Sequence, residues 1–298
     1  MISTTAAKNR RRAGFTLPEL LVVIAIIAIL VALTAAASQR VRVNAMVRAT
    51  EDIVGKTQLG IDNTLKGINE QIAKDRQART NDFDTMTAYC DGDADRAAAL
   101  MTYCRVKQYL PHVSGDVASP AGFNCGNVNF PRPVAFATFQ GVTGTTDQVS
   151  AALLYAGLSL RSLGGNTFAS DDATTGAQLD ITTNMTVRIY KDSWGNPVGF
   201  RRWLTSATLA DVDQAPYVNP KDLSAGKSVD PFDPAGKLWT WGNTTNKNAA
   251  QTALGVTFDG KNKVLTTYAA GPNGTFNNFA LDDILGFRVR SVGARGTK

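Results

Sequence analysis

Few residues in this 298-residue chain have the type and spacing to do covalent chemistry. The single histidine, His112, follows Pro111, and no pattern pairs it with the nucleophile and orienting acid that a catalytic triad needs. The sequence contains no G-x-x-x-x-G-K-[ST] phosphate loop, no H-E-x-x-H zinc helix and no C-x-x-C pair. Asp91, Asp93 and Asp95 alternate with Gly92 and Ala94. That run could hold a divalent cation, but the acid-rich start of a helix is the simpler reading, because carboxylates favour a helix N-terminus. Cys90, Cys104 and Cys125 lack the spacing of a zinc site. In an exported protein three cysteines suit one disulfide and one spare thiol. Cys90 and Cys104 cannot bond along one straight helix, where they would lie roughly 21 Å apart. Cys104–Cys125 needs only a turn between its partners and is the preferred pair. One acid stands out by position: Glu19 sits at the edge of a long apolar run, where a carboxylate is expensive and implies a partner.

The composition is that of a folded protein, with 44% hydrophobic and 19% charged residues. Its length allows one large domain or two small ones. The net charge of +6 invites a nucleic-acid reading, but four basic residues (Lys8, Arg10, Arg11, Arg12) precede Gly14, leaving 27 basic against 25 acidic residues beyond them. Aromatic residues are scattered and form no stacking platform. No nucleic-acid partner is expected.

From Leu20 to Gln39 the chain runs without a charge and is nearly all apolar. A helix of that length spans about 30 Å, the hydrocarbon thickness of a bilayer. The basic residues before it should stay cytoplasmic, placing the rest outside. A secretory signal peptide cut near Ala35–Ser38 would leave the length of the run and Glu19 unexplained. A plain signal anchor explains the length but not Gly14-Phe15 or Glu19.

The segment GFTLPELLVVIAIIAIL, residues 14–30, closely resembles the type III signal of type IV pilins and type II secretion pseudopilins. The resemblance implies that a prepilin peptidase cuts after Gly14 and methylates the new N-terminus, Phe15. It makes Glu19 the glutamate at the fifth mature position. The physics agrees. Cleavage creates an ammonium on Phe15 one helical turn from Glu19, and Glu19 of one subunit can meet the Phe15 ammonium of the next. A charge pair in a dry filament core would set the axial register between subunits. Pro18 falls in the first turn of such a helix, where its missing N–H has no intrahelical partner to lose.

Beyond Arg40, Val43, Val47, Val54, Ile61, Leu65, Ile68 and Ile72 recur near the helical period. Gly55, Gly60 and Gly67 should bend or fray this stretch, at roughly 1 kcal/mol each relative to Ala. A second helix is expected over Asp93–Leu110 with Leu100, Met101, Cys104 and Val106 inward, ended by Pro111. Residues 111–133 read as loop, and a third helix is expected over Gln148–Leu163. Strands are expected at Thr186–Tyr190, Val198–Trp203, Val256–Phe258 and Val264–Ala269.

Two C-terminal tracts extend the resemblance. Asp192-Ser-Trp-Gly-Asn-Pro197 is similar to the turn that leads into the sheet of major pseudopilins, although Trp packing and a Gly-Asn-Pro turn explain it equally. Residues 268–284 are similar to the family's calcium loop. There Asp282 and Asp283 would supply carboxylates, with Asn273, Asn277 and backbone carbonyls adding neutral oxygens. Asn stands where the family usually carries acids, so calcium is implied only weakly, and a metal-free turn is the alternative.

The expected fold is therefore α+β and pilin-like: a long N-terminal helix, half membrane-spanning and half amphipathic, and a globular head with extra helices and a small antiparallel sheet. The expected divisions are a leader at 1–14, an assembly helix at 15–39, its amphipathic continuation at 40–79 and a head at 80–298. Within the head, 80–180 matches no family pattern, and 184–298 carries the sheet and loop. The resemblance implies a non-enzymatic filament subunit, first of a type II secretion system and alternatively of a type IV pilus for adhesion, motility or DNA uptake. A membrane-anchored binding or enzymatic domain that borrows the signal is the reading from another class. Implied partners are other pilin-like subunits, the prepilin peptidase, an inner-membrane assembly platform and, before assembly, the lipid bilayer. The implied location is the bacterial inner membrane, head in the periplasm, and then a periplasmic or surface filament.

Overall fold

The computed structural model describes residues 17–139, 141–142, 144–159, 177–182, 185–205, 228–274 and 283–291. The chain divides into two compact units, Met1–Met46 and Val47–Lys298. Helix α1 (Leu17–Ala78) runs through the boundary.

In the first unit, α1 exposes nearly every apolar side chain: Leu17 is 78% exposed, Ile29 61% and Leu33 63%. In the second unit the same helix buries Ile53, Val54, Ile61, Ile68 and Ile72. The amphipathic stripe is the expected one, but its buried part begins at Thr50, and Val43 remains 42% exposed. Fraying at the glycines does not occur, for the helix continues unbroken through Gly55, Gly60 and Gly67. Gly60 and Gly67 are buried, and a Cβ at Gly55 would meet Val289 at 3.5 Å, ordinary contact. Packing outweighs the weak propensity of these glycines.

Helices α2 (Asn81–Tyr89) and α3 (Ala94–Tyr109) follow. Thr80 caps α2 through the Phe83 N–H, and Asp93 caps α3 through the N–H groups of Asp95 and Arg96. Such caps stabilise by about 1 kcal/mol each. Helix α3 buries Leu100, Met101, Cys104 and Val106, as its periodicity predicts. With the α1 stripe they form the main core, joined by Phe130, Val198, Phe200 and Leu238.

The tract 111–133 is not all loop. Strands β1 (Phe123–Cys125) and β2 (Val128–Phe130) form an antiparallel hairpin. Gly126 and Asn127 form its two-residue turn, with φ of +61° and +62°. Glycine and asparagine tolerate that conformation, which matches the twist of a tight hairpin. Helix α4 (Thr146–Ser159) starts near the expected helix, and residues 160–163 of that expectation lie outside the described residues.

Strands β3 (Ala177–Thr182) and β4 (Met185–Ile189) pair antiparallel. Strands β5 (Gly199–Leu204), β6 (Val264–Ala269) and β7 (Ile284–Leu285) form a three-stranded antiparallel sheet in the order β5-β6-β7. Gly199 pairs with Tyr268, and Tyr268 with Leu285. Every residue of β6 is buried. Helix α5 (Thr244–Leu254) is capped by Asn243, and α6 spans Gly286–Ser291. The expected strand at Val256–Phe258 does not form. The Val256 N–H is spent on the Gln251 carbonyl and the Phe258 N–H on the Gln251 side chain, so the segment closes α5 instead of joining a ladder. The architecture is α+β: a long N-terminal helix, further helices and small antiparallel sheets in a globular head.

Candidate assembly segment and C-terminal loop

Glu19 lies in the first turn of α1 and is exposed. Pro18 sits beside it, where a helix start tolerates proline. Gly14 and Phe15 lie outside the described residues. The apolar run that follows reaches a mean hydropathy of 3.1 over an 18-residue window with none of it buried, so α1 is long and apolar enough to cross a membrane. Thr34, the polar interruption, turns its hydroxyl back to the carbonyls of Leu30 and Val31 at 2.9 and 3.0 Å. Such back-bonding hides the hydroxyl from an apolar surrounding. Burying one Leu, Ile or Val side chain is worth about 1.5–3 kcal/mol, so a row of them left in water would be strongly unfavourable. This stretch must be covered by lipid or by other helices.

The head half of α1 is held by polar contacts as well as by its stripe. Gln58, 3% exposed, reaches β6 with both ends of its amide. Its Nε2 donates to the Leu265 carbonyl at 3.0 Å, and its Oε1 accepts the Thr267 N–H at 3.0 Å. One side chain thus takes the place of a strand along that part of β6. The Thr267 hydroxyl donates to the Val54 carbonyl at 3.1 Å, and the Phe287 N–H donates to the Thr266 hydroxyl at 3.2 Å. Space here is tight, since a Cβ on Gly286 would lie 2.5 Å from both Gln58 Oε1 and Thr267 Oγ1.

The Asp192–Pro197 tract is a turn, and it leads into β5, the first strand of the three-stranded sheet. Asp192 Oδ1 accepts the N–H groups of Trp194 and Asn196 at 2.9 and 2.7 Å. Asn196 Nδ2 donates to Asp192 Oδ2 at 3.1 Å and to the Gly271 carbonyl at 3.2 Å, tying the turn to the start of the C-terminal loop. Burial pushes the Asp192 carboxyl above its ordinary range, against the pull of those N–H donors. The Ser193 N–H donates to Thr50 Oγ1 at 3.1 Å, which joins the turn to α1.

Of the four expected calcium ligands, Asn273 stands exposed at the end of a short 3-10 turn and Asp283 is 5% exposed just before β7. Asn277 and Asp282 lie outside the described residues. Among the described residues no cluster of three His, Cys, Asp or Glu could hold a metal ion. The three acids near residue 93 disperse into structural contacts. Asp91 accepts from Trp241 Nε1 and Asn243 Nδ2, Asp93 caps α3, and Asp95 pairs with Arg76 at 2.8 Å.

Sequence reasoning missed two buried charge networks. Arg202, with a side chain 2% exposed, lies 2.9 Å from Asp116, and His112 Nδ1 lies 3.3 Å from the same carboxylate. Burial alone would raise the Asp116 carboxyl, but Arg202 and His112 hold it well below the usual carboxylate range. Burial pushes the His112 imidazole down. Lys263, fully buried, lies 3.1 Å from Asp230 and 2.9 Å from Asp259, and Tyr103 donates to Asp230. Each network joins a local pair four residues apart, His112–Asp116 and Asp259–Lys263, to partners far off in the chain, Arg202 in one and Tyr103 and Asp230 in the other, and no local spacing announces those distant members.

Residues 9–35 match the family model of the prokaryotic N-terminal methylation motif. The chain therefore carries a type IV pilin-like prepilin signal. No curated protein and no solved structure matched the chain. The motif points to processing by a prepilin peptidase and assembly into a pilin-like filament, and with the one helix among the described residues that is long and apolar enough to cross a membrane it fits a membrane-anchored, single-pass protein whose role is structural.

Proposed function

We propose that this protein is a pseudopilin of a type II secretion system, a structural subunit that assembles through α1 into a periplasmic filament and drives protein export across the outer membrane. The observation that carries the reading is the methylation motif at residues 9–35 on an exposed apolar helix with Glu19 in its first turn. The Asp192–Pro197 turn feeding β5 favours secretion over a surface pilus. In this reading cleavage after Gly14 exposes the Phe15 amine, which is methylated and meets Glu19 of a neighbouring subunit. The leader stays cytoplasmic and the head folds in the periplasm, drawn there with the assembly platform of the inner membrane.

Mass analysis of the native mature N-terminus tests the central step. A chain beginning with methylated Phe15 is expected; a start at Met1 or after Ala37 overturns it. Long surface filaments on cells would turn the reading towards a type IV pilus. A correctly cleaved subunit that stays monomeric would turn it towards an anchored binding or enzymatic domain.

A weak calcium site completes the proposal, with Asp282 and Asp283 as carboxylate ligands and Asn273 and Asn277 as neutral ones. The buried Asp283 carboxylate beside the Asn-rich loop supports it, and two acids among amide oxygens suit a hard cation bound loosely. Calorimetry with calcium chloride should show heat and a raised melting temperature, both lost in Asp283→Asn; no heat means a metal-free loop.

A further inference from the structure

We propose that Cys104 and Cys125 form a disulfide in the exported head and that Cys90 remains its spare thiol. The proposal rests on the export reading above, which puts the head in an oxidising compartment. The three cysteines come from three elements separate in sequence: the C-cap of α2, the middle of α3 and the end of β1. All three are free thiols here, they are 0%, 0% and 4% exposed, and they belong to one apolar cluster.

Independent contacts bracket the Cys104–Cys125 approach. Arg105, next to Cys104, lies over the Phe130 ring at 5.4 Å, and Lys107 lies over Phe123 at 5.0 Å. Phe123 and Phe130 pair across the hairpin, and in the same register Cys125 pairs with Val128. The α3 backbone around Cys104 is thereby laid against the hairpin end that carries Cys125, and burial first and the Cys125 thiol next push the Cys104 thiol up. On the other side, a Cβ on Gly126 would lie 2.3 Å from Met86 Sδ and 3.2 Å from Tyr89, so α2 packs where the hairpin turns. That brings Cys90 near without making it the bonded partner. Its backbone is held elsewhere, with its N–H on the Met86 and Thr87 carbonyls and its own carbonyl accepting from Arg96 at 3.0 Å.

The bond forms by exchange with the disulfide of a thiol–disulfide oxidoreductase. The Cys104 thiolate attacks one sulfur of that disulfide, giving a mixed disulfide and releasing the other sulfur as a thiolate. The Cys125 thiolate then attacks Cys104 Sγ and expels the second oxidoreductase sulfur. The two thiol protons end on the released oxidoreductase thiols, which carry away two electrons. Burial pushes the Cys104 thiol up, and the Cys90 thiol to about 12. Few thiolates form once the core has closed, so the exchange belongs to the folding chain, before α3 and the hairpin seal.

The test has two arms on the full chain. Protein refolded in a glutathione redox buffer is unfolded in excess alkylating reagent without reductant, and its peptides are mapped. One alkylated cysteine, Cys90, and a reducible peptide pair containing Cys104 and Cys125 are expected. Cys90→Ser should keep the pair, and Cys104→Ser should leave two alkylated thiols. Three alkylated cysteines, or a bond that includes Cys90, overturn the pairing. In the second arm the same map is made on protein from native cells. A bond that forms in the buffer but is missing there overturns the proposal for the native protein through its compartment, while leaving the thiol geometry intact.

Discussion

The two halves of α1 are one uninterrupted helix that meets two different surroundings. Residues 20–37 present apolar side chains on nearly all sides and bury none of them, whereas residues 47–78 bury one stripe and turn charge outward. A helix apolar all round needs lipid or other helices, and one with a single stripe needs a folded partner. The same backbone hydrogen bonds serve both, so only side chains decide what each half requires from outside. The contrast teaches that assembly and head folding are carried by different side chains and should fail separately.

The sharpest way to break that contrast is Glu19→Ala. Filaments should be lost, while cleavage after Gly14 and the melting temperature of the head stay unchanged. Electron microscopy of the filaments beside mass analysis of the subunit checks this, and normal filaments would refute the charge pair. Gln58→Ala tests the other half. It strands the Leu265 carbonyl and the Thr267 N–H in the core, which should destabilise the head by about 2–4 kcal/mol. Denaturant unfolding of the full chain in detergent reads the loss, and leader cleavage should not change. If Gln58→Ala leaves the head intact, then the apolar stripe alone holds α1.

The smallest effect should come from pH. His112 is kept neutral by burial, so its folded pKa lies below the unfolded value. The unfolded chain then binds the proton more readily, and stability present above the ordinary histidine range falls as pH drops through it. Asp116, held low, adds a further loss at more acid pH, below the ordinary carboxylate range. His112→Gln should flatten the melting temperature between about pH 7 and 5, the window of an ordinary histidine. The effect should be smaller than that of Gln58→Ala. An unchanged slope would move the pH dependence to other groups.

Much of the fold was legible in local pattern. The apolar run, the α1 stripe and the α3 periodicity follow from side-chain spacing on a helix, and Pro111 marks where α3 must end. The C-terminal strands were legible where alternation met turn residues, as at β5 and β6. The hairpin at β1 and β2 was hidden by its short strands and its Gly-Asn turn inside a loop-like tract. Helix α2 was missed because its mixed polar sequence carries few apolar positions. The glycines of α1 misled in the other direction, since propensity is a weak local preference that packing overrides.

Of the candidate site, the sequence by itself determined the signal: a basic leader, Gly14-Phe15, Glu19 and an apolar run are contiguous, so their meaning needs no folding. The turn at Asp192–Pro197 was visible for the same reason. Tertiary structure alone decided that Gln58 completes β6, that Arg202 and His112 share Asp116, and that three cysteines meet in one core. Apart from His112 and Asp116, four residues apart, those contacts join residues well separated in the chain, and such proximity is created by burial of the core rather than by any spacing along the sequence.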